Sequence, residues 1–117
     1  MSRIEECRSR FLAWATWKKS SGNVAEDPAA AAIDDIVAGL PAALRATLIE
    51  IYVIGGDVRH HTLRLGCPEA TIVRRLGQAD RLLMDQLSLR RAARRREDEQ
   101  IEMAARLGSR SAAAPDL

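Results

Sequence analysis

The chain has 117 residues, of which 47% are hydrophobic but only 3% aromatic, and its formal net charge is +2. This length allows one domain, and a core with so few aromatic side chains must be built from aliphatic ones, which suits packed helices. No apolar run approaches the roughly 20 residues that span a bilayer, so the sequence predicts neither a membrane span nor a membrane partner.

The two cysteines, Cys7 and Cys67, are far apart in the sequence, and the N-terminal residues lack the apolar stretch of a secretion signal. Reduced thiols in a cytoplasmic protein are the simpler interpretation of this pattern. We therefore expect a cytoplasmic location.

The first predicted element is a helix over residues 2–19, because side chains recur there at three- and four-residue steps. The predicted stripe consists of Ile4, Cys7, Phe11, Trp14 and Lys18. Trp17 is expected to leave this stripe and to contact a partner.

Asp27 and Pro28 predict the start of a second helix, because Asp is a favoured cap and Pro is favoured at the first helical position. This helix should stop near Gly39, and Pro41 should start the next one. The apolar side chains of that third helix are Leu44, Leu48 and Ile51. The pair Gly55–Gly56 predicts its end.

A short polar helix, the turn Leu65–Pro68 and a longer helix that opens at Pro68 and Glu69 follow. The buried face of the longer helix is predicted to hold Ile72, Leu76 and Ala79. A helix, a tight turn and a second helix with an exposed basic face are typical of a helix-turn-helix DNA-binding motif.

We predict an all-α protein with a single helical domain over residues 1–107. Within it, the N-terminal helix covers residues 2–19, the helix-turn-helix region residues 40–87, and a charged helical extension residues 88–107. The tail, residues 108–117, has nothing to bury and is predicted to be disordered.

Positive charge concentrates in one part of the chain. Residues 59–96 contain ten arginines against Glu69, Asp80 and Asp85, a balance of +7. Arginine forms bidentate hydrogen bonds with phosphate and with guanine, so this composition favours a nucleic-acid partner. A solvated helix face is the alternative interpretation of such a run.

Candidate DNA-binding side chains lie on the first helix of the motif, at the N-terminus of the longer helix, and on the side of the longer helix opposite its predicted buried face. They are Arg64, Glu69, Thr71, Arg74, Arg75 and Gln78. The candidate phosphate contacts are Arg59, His60, Arg90, Arg91 and Arg94. The arginines from residue 90 onward also suit an acidic partner.

Metal and catalytic sites have little support in the sequence. His60–His61 with Cys67 lacks the paired ligand spacing of a zinc site, and Asp34–Asp35 is an adjacent pair whose side chains point in different directions on a helix. We predict no catalytic residue, no metal, no cofactor and no enzymatic activity.

Residues 40–87 resemble region four of bacterial sigma factors, in which a leucine-rich helix precedes a helix-turn-helix. Phe11–Ala15 is similar to the W-x-x-W-A opening of phage late-gene antitermination proteins, the Q proteins of the phage-21 type. Asp35–Leu40, Leu48–Val53 and Leu65–Ala70 also resemble segments of that family. The resemblance covers about residues 4–90.

This resemblance implies a small helical domain with a sigma-region-four-like helix-turn-helix and a long C-terminal helix. It implies binding to double-stranded DNA beside a late promoter, loading onto bacterial RNA polymerase and readthrough of terminators in the host cytoplasm. A homodimer on DNA is compatible with it. Two alternatives stay open: an activator or repressor of initiation with the same motif, and a helical interaction protein that does not bind DNA.

Overall fold

The computed structural model describes residues 2–20, 22–23 and 25–113, and only the backbone of residues 109–113. The described chain is all-α, as the sequence predicts, with five α-helices and no strand. None of these helices is long and apolar enough to cross a bilayer. The chain divides into two compact units, with the boundary between Asp85 and Gln86.

Helix α1, Arg3–Ser20, supplies the largest buried side chains of the first unit. Cys7, Phe11 and Trp14 of the predicted stripe are fully buried, whereas its first member, Ile4, is 63% exposed. Lys18, the last member, is at the surface, where its Nζ lies 3.1 Å from Asp34 Oδ1.

Trp17 is buried, so the prediction that it leaves the buried stripe is wrong. Its indole Nε1 donates a hydrogen bond of 2.9 Å to the carbonyl oxygen of Asn23, in the segment that follows α1. This bond satisfies the polar atom of the ring, so the side chain belongs to the core.

Helix α2, Pro28–Ala38, begins and ends where the local sequence predicts. Asp27 Oδ1 accepts a 3.0 Å hydrogen bond from the Ala30 amide, and the Gly39 amide donates to the Ile36 carbonyl at the other end. The helix packs against α1, where Trp14 Nε1 donates to Asp34 Oδ1 at 3.0 Å.

Helix α3, Ala42–Leu48, continues as a π-helical segment, Ile49–Ile54, and ends at Gly55 and Gly56, both with positive φ. The Gly55 amide donates to the Glu50 carbonyl, five residues earlier, at 3.0 Å. Because a π-turn holds more residues than an α-turn, the face of the helix rotates after Leu48. Glu50 is therefore buried, while the predicted core residue Ile51 is only half-buried.

Helix α4, Val58–Leu65, and helix α5, Glu69–Ala113, are joined by a short turn. Asp57 caps α4 by accepting a hydrogen bond from the His60 amide at 3.1 Å, and this bond lowers the pKa of its carboxyl. Gly66, with φ of +66°, ends α4 in the left-handed conformation that glycine adopts without strain. The predicted order of helix, turn and helix is present.

The first four turns of α5 bury Ile72, Ala79 and Leu83, whereas Leu76 is half-buried. In the second unit, the side chains of residues 88–108 are exposed apart from the half-buried Ala92. The helix extends past its predicted end at Leu107 to Ala113. The remainder of the predicted disordered tail, residues 114–117, lies outside the described residues.

Candidate nucleic-acid interface

A row of exposed polar side chains follows one side of α5 immediately after the turn. Arg74, Gln78 and Arg81 stand at positions i, i+4 and i+7, so they share one side of the helix. Ile72 and Ala79 anchor the other side in the core. We call the exposed residues the Arg74–Gln78–Arg81 row.

This row forms one wall of an open groove of about 490 Å³. Pro41, Ala43 and Leu44, at the start of α3, form part of the opposite wall. The groove therefore combines arginine and glutamine side chains with an apolar surface. Such a combination offers hydrogen-bond donors to base edges and phosphates, and apolar contacts to a thymine methyl group.

Arg75 and Thr71 are less exposed than the row, and both are half-buried. Arg75 Nη1 lies 3.6 Å from Cys67 Sγ and donates to it, which joins α5 to the turn. Glu69 is exposed at the first position of α5.

A buried carboxylate holds α4 against the π-helical segment. Glu50 Oε1 lies 3.0 Å from His61 Nδ1 and 3.0 Å from Arg64 Nη1. Glu50 and His61 are buried, whereas the Arg64 side chain is 44% exposed. The Glu50 carboxyl group therefore joins the π-helical segment to two side chains of α4.

The other candidate contacts of the first unit are on α4. Arg59 and His60 are exposed, and His60 Nδ1 lies 2.8 Å from Asp57 Oδ1. Arg64 is also on α4, with one guanidinium nitrogen engaged by Glu50. The helix therefore presents two arginines and a histidine, of which two have carboxylate partners.

The second unit contains the remaining candidates. Arg90, Arg91 and Arg94 are exposed on α5, and the acidic residues Glu97, Asp98 and Glu99 come directly after the basic run. An ion pair between Arg106 and Glu102, at 2.7 Å, connects successive turns near the end of this unit. This unit is a highly charged helix.

The titratable groups of the described residues do not form a metal-binding cluster of three or more His, Cys, Asp and Glu side chains. Cys7 and Cys67 are free thiols. Cys7 is buried on α1, where its Sγ donates to the Asp80 carbonyl at 3.7 Å, and burial raises its pKa.

Comparisons of this chain with protein-family models, with curated proteins and with solved structures find no match. The likeness to sigma region four and to phage antitermination proteins therefore stays a prediction based on the motifs quoted above.

Sequence reasoning missed three residues that shape this region. The helical spacing could have identified Arg81, because it is seven residues after Arg74 and three after Gln78. Glu50 carries a weaker signal, as the single charged residue in the run Leu48–Ile54. His61 carries no such signal, since its burial depends on the π-turn that brings Glu50 inward.

Proposed function

We propose that the protein binds double-stranded DNA through α4, the turn and the start of α5. The Arg74–Gln78–Arg81 row is the observation that carries this proposal. Arginine pairs with the O6 and N7 atoms of guanine, and glutamine with the N6 and N7 atoms of adenine, in the major groove. A row of both residue types on an exposed helix that follows a short turn suits such recognition.

The contacts behind the row support this proposal, because specific recognition needs a fixed helix. Ile72, Ala79 and Leu83 anchor the start of α5 in the core, and Arg75 joins it to the turn. Glu50 binds α4 at the same time. The recognition surface is therefore held in place before DNA arrives, which reduces the entropic cost of binding.

The remaining candidates have subordinate roles in the proposal. Glu69 and Thr71 lie at the N-terminal end of α5, the end that enters the groove in most motifs of this type. Arg59, His60 and Arg64 contact phosphates that flank the site and set the orientation of α4. Arg90, Arg91 and Arg94 of the second unit add non-specific attraction to phosphate.

By its resemblance to the phage-21 type of Q protein, we further propose that this DNA binding serves late-gene antitermination in the cytoplasm of a bacterial host. The protein would bind a DNA element beside the late promoter, as a monomer or a homodimer, and load onto bacterial RNA polymerase. Regulation of initiation through the same surface is the alternative, and the two differ in the transcription step that changes.

The DNA-binding proposal is tested by selecting sites from double-stranded DNA of random sequence and by measuring affinity at several salt concentrations. We expect a preferred site and an affinity that falls steeply with salt, since each phosphate contact releases counterions. The Arg74→Ala variant should lose about 1 to 3 kcal/mol of binding free energy on the preferred site and little on random DNA.

Arg10→Ala is the matched control, because it removes the same charge from α1, where Arg10 pairs with Glu6 at 3.0 Å. It should bind both DNA samples as the unchanged protein does. Absence of DNA binding, or an affinity that does not vary with salt, would favour a helical interaction protein instead.

A further inference from the structure

A second groove, of about 480 Å³, lies within the first unit between α1 and the beginning of α5. We call it the α1–α5 groove. Its apolar surface is formed by Ile4, Val73, Leu76 and Tyr52. It shares Arg81 with the groove beside α3, but Arg74 and Gln78 do not line it.

Two of the three aliphatic side chains of this groove are exposed to solvent. Ile4 is 63% exposed and Val73 is 60% exposed, and both belong to helices whose other faces are packed in the core. Covering such an aliphatic surface with a partner contributes about 25 cal/mol of favourable free energy for every Å² removed from water. Two exposed aliphatic residues that line one concave groove therefore form an attractive anchor site.

Gly77 leaves the middle of the groove open. A Cβ atom at this position would meet no other atom within 4 Å, although the residue is inside a long helix. Glycine there costs the helix roughly 0.5 to 1 kcal/mol relative to alanine. From Val73 to Asp80 the helix rises roughly 10 Å, which matches about two turns of a helix lying alongside it.

The charges at the rim favour an acidic occupant. Arg3, Arg8 and Arg81 line the groove together with a single carboxylate, Asp80. Burial raises the pKa of Asp80, against the opposing effect of Arg8 and Arg3. Arg8 lines the same groove as Tyr52.

The arginines and the aliphatic side chains of the groove together favour one class of occupant over two others. The same face of a second copy would bring its arginines against these arginines, which is unfavourable. A nucleic-acid backbone satisfies the arginines but leaves the aliphatic floor uncovered. An amphipathic helix with aliphatic residues flanked by acidic ones satisfies both parts of the groove.

We propose that the α1–α5 groove docks an acidic amphipathic helix of a partner protein. Two aliphatic side chains of that helix, one turn apart, cover Ile4, Val73 and Leu76. Acidic side chains beside them pair with Arg3, Arg8 and Arg81. This inference goes beyond the proposed function, because it assigns a protein partner to a second groove, which shares Arg81 but not Arg74 or Gln78 with the Arg74–Gln78–Arg81 row.

The test uses the full chain and a fluorescein-labelled helical peptide with leucines at i and i+4, glutamates on both flanks and alanine elsewhere. Fluorescence anisotropy should show saturable binding in the micromolar range. Two matched peptides, with lysine in place of glutamate or alanine in place of leucine, should bind at least about tenfold more weakly, a loss of 1.4 kcal/mol.

Gly77→Leu should fill the groove and weaken peptide binding by at least about tenfold. It should not lower the Tm, because leucine is a better helix former and has open space there. Gly108→Leu is the matched control, since Gly108 is another exposed glycine of α5 with equally open space, in the second unit. It should leave peptide binding unchanged.

Two results would overturn the proposal. One is a failure of the leucine–glutamate peptide to bind. The other is equal binding by the Gly77→Leu variant and the unchanged protein. Both readouts are measured without DNA, so they do not depend on whether the protein recognises a preferred DNA site.

Discussion

A carboxylate inside a small helical core must keep its hydrogen-bond partners, and Glu50 has two of them, His61 and Arg64. Removal of the carboxylate in Glu50→Ala takes away the hydrogen-bond partner of the buried His61 Nδ1. We expect a loss of about 1 to 3 kcal/mol in the free energy of unfolding, measured by urea titration.

Glu50→Gln keeps one oxygen that accepts a hydrogen bond, so it should cost less than Glu50→Ala. Glu99→Ala, at an exposed position of α5, is the surface control and should change stability by about 0.5 kcal/mol or less. If Glu50→Ala is no more destabilising than Glu99→Ala, the buried contact with His61 does not hold α4.

At the scale of single elements, Gly66 in the turn before α5 and Gly77 within α5 form a matched pair for substitution. Gly66 has φ of +66°, and Gly77 is in the middle of a helix, while a Cβ atom would meet nothing within 4 Å at either position. The two substitutions to alanine therefore differ mainly in backbone conformation.

Gly66→Ala should destabilise the protein by about 1 to 2 kcal/mol, because an L-residue is strained in the left-handed region. Gly77→Ala should stabilise it by roughly 0.5 to 1 kcal/mol, because alanine is the better helix former. Thermal unfolding followed by circular dichroism measures both. Equal effects of the two variants would contradict the assigned turn.

Helix boundaries could be predicted from the sequence because their causes are local. Asp27 with Pro28, Pro41 and Gly66 act on the neighbouring backbone alone, and each of them marks an observed helix end. The π-helical segment could not be predicted in this way. It places Glu50 in the core, where the carboxyl group contacts His61 and Arg64 of α4, and these partners are eleven and fourteen residues away in the chain.

The candidate interface also has features that local sequence predicts and features that depend on tertiary packing. Helical spacing predicts the exposure of Arg74 and Gln78, which are exposed, but not that of Arg75, which is half-buried. Spacing does not predict the wall formed by Pro41 and Ala43, which tertiary packing brings to the same groove. Spacing also does not predict the burial of Trp17. Its indole Nε1 donates to the carbonyl oxygen of Asn23, which lies outside α1.

At the scale of the whole molecule, antitermination and regulation of initiation differ in the step of transcription that changes. In purified transcription from the late promoter, the protein should raise readthrough of a terminator placed far downstream. The number of transcripts begun should stay the same. The effect should need the DNA element in cis, because the antitermination proposal has the DNA-binding surface deliver the protein to the polymerase held beside it.

Arg74→Ala connects this assay to the structure. Its side chain is exposed, so the variant should remain folded, with an unchanged circular dichroism spectrum, while it loses readthrough together with binding to the preferred site. Arg10→Ala should retain both activities. A protein that instead increases the number of transcripts begun, and leaves the fraction terminated unchanged, acts at initiation. That result would retire the antitermination proposal and leave DNA binding by α4, the turn and α5 intact.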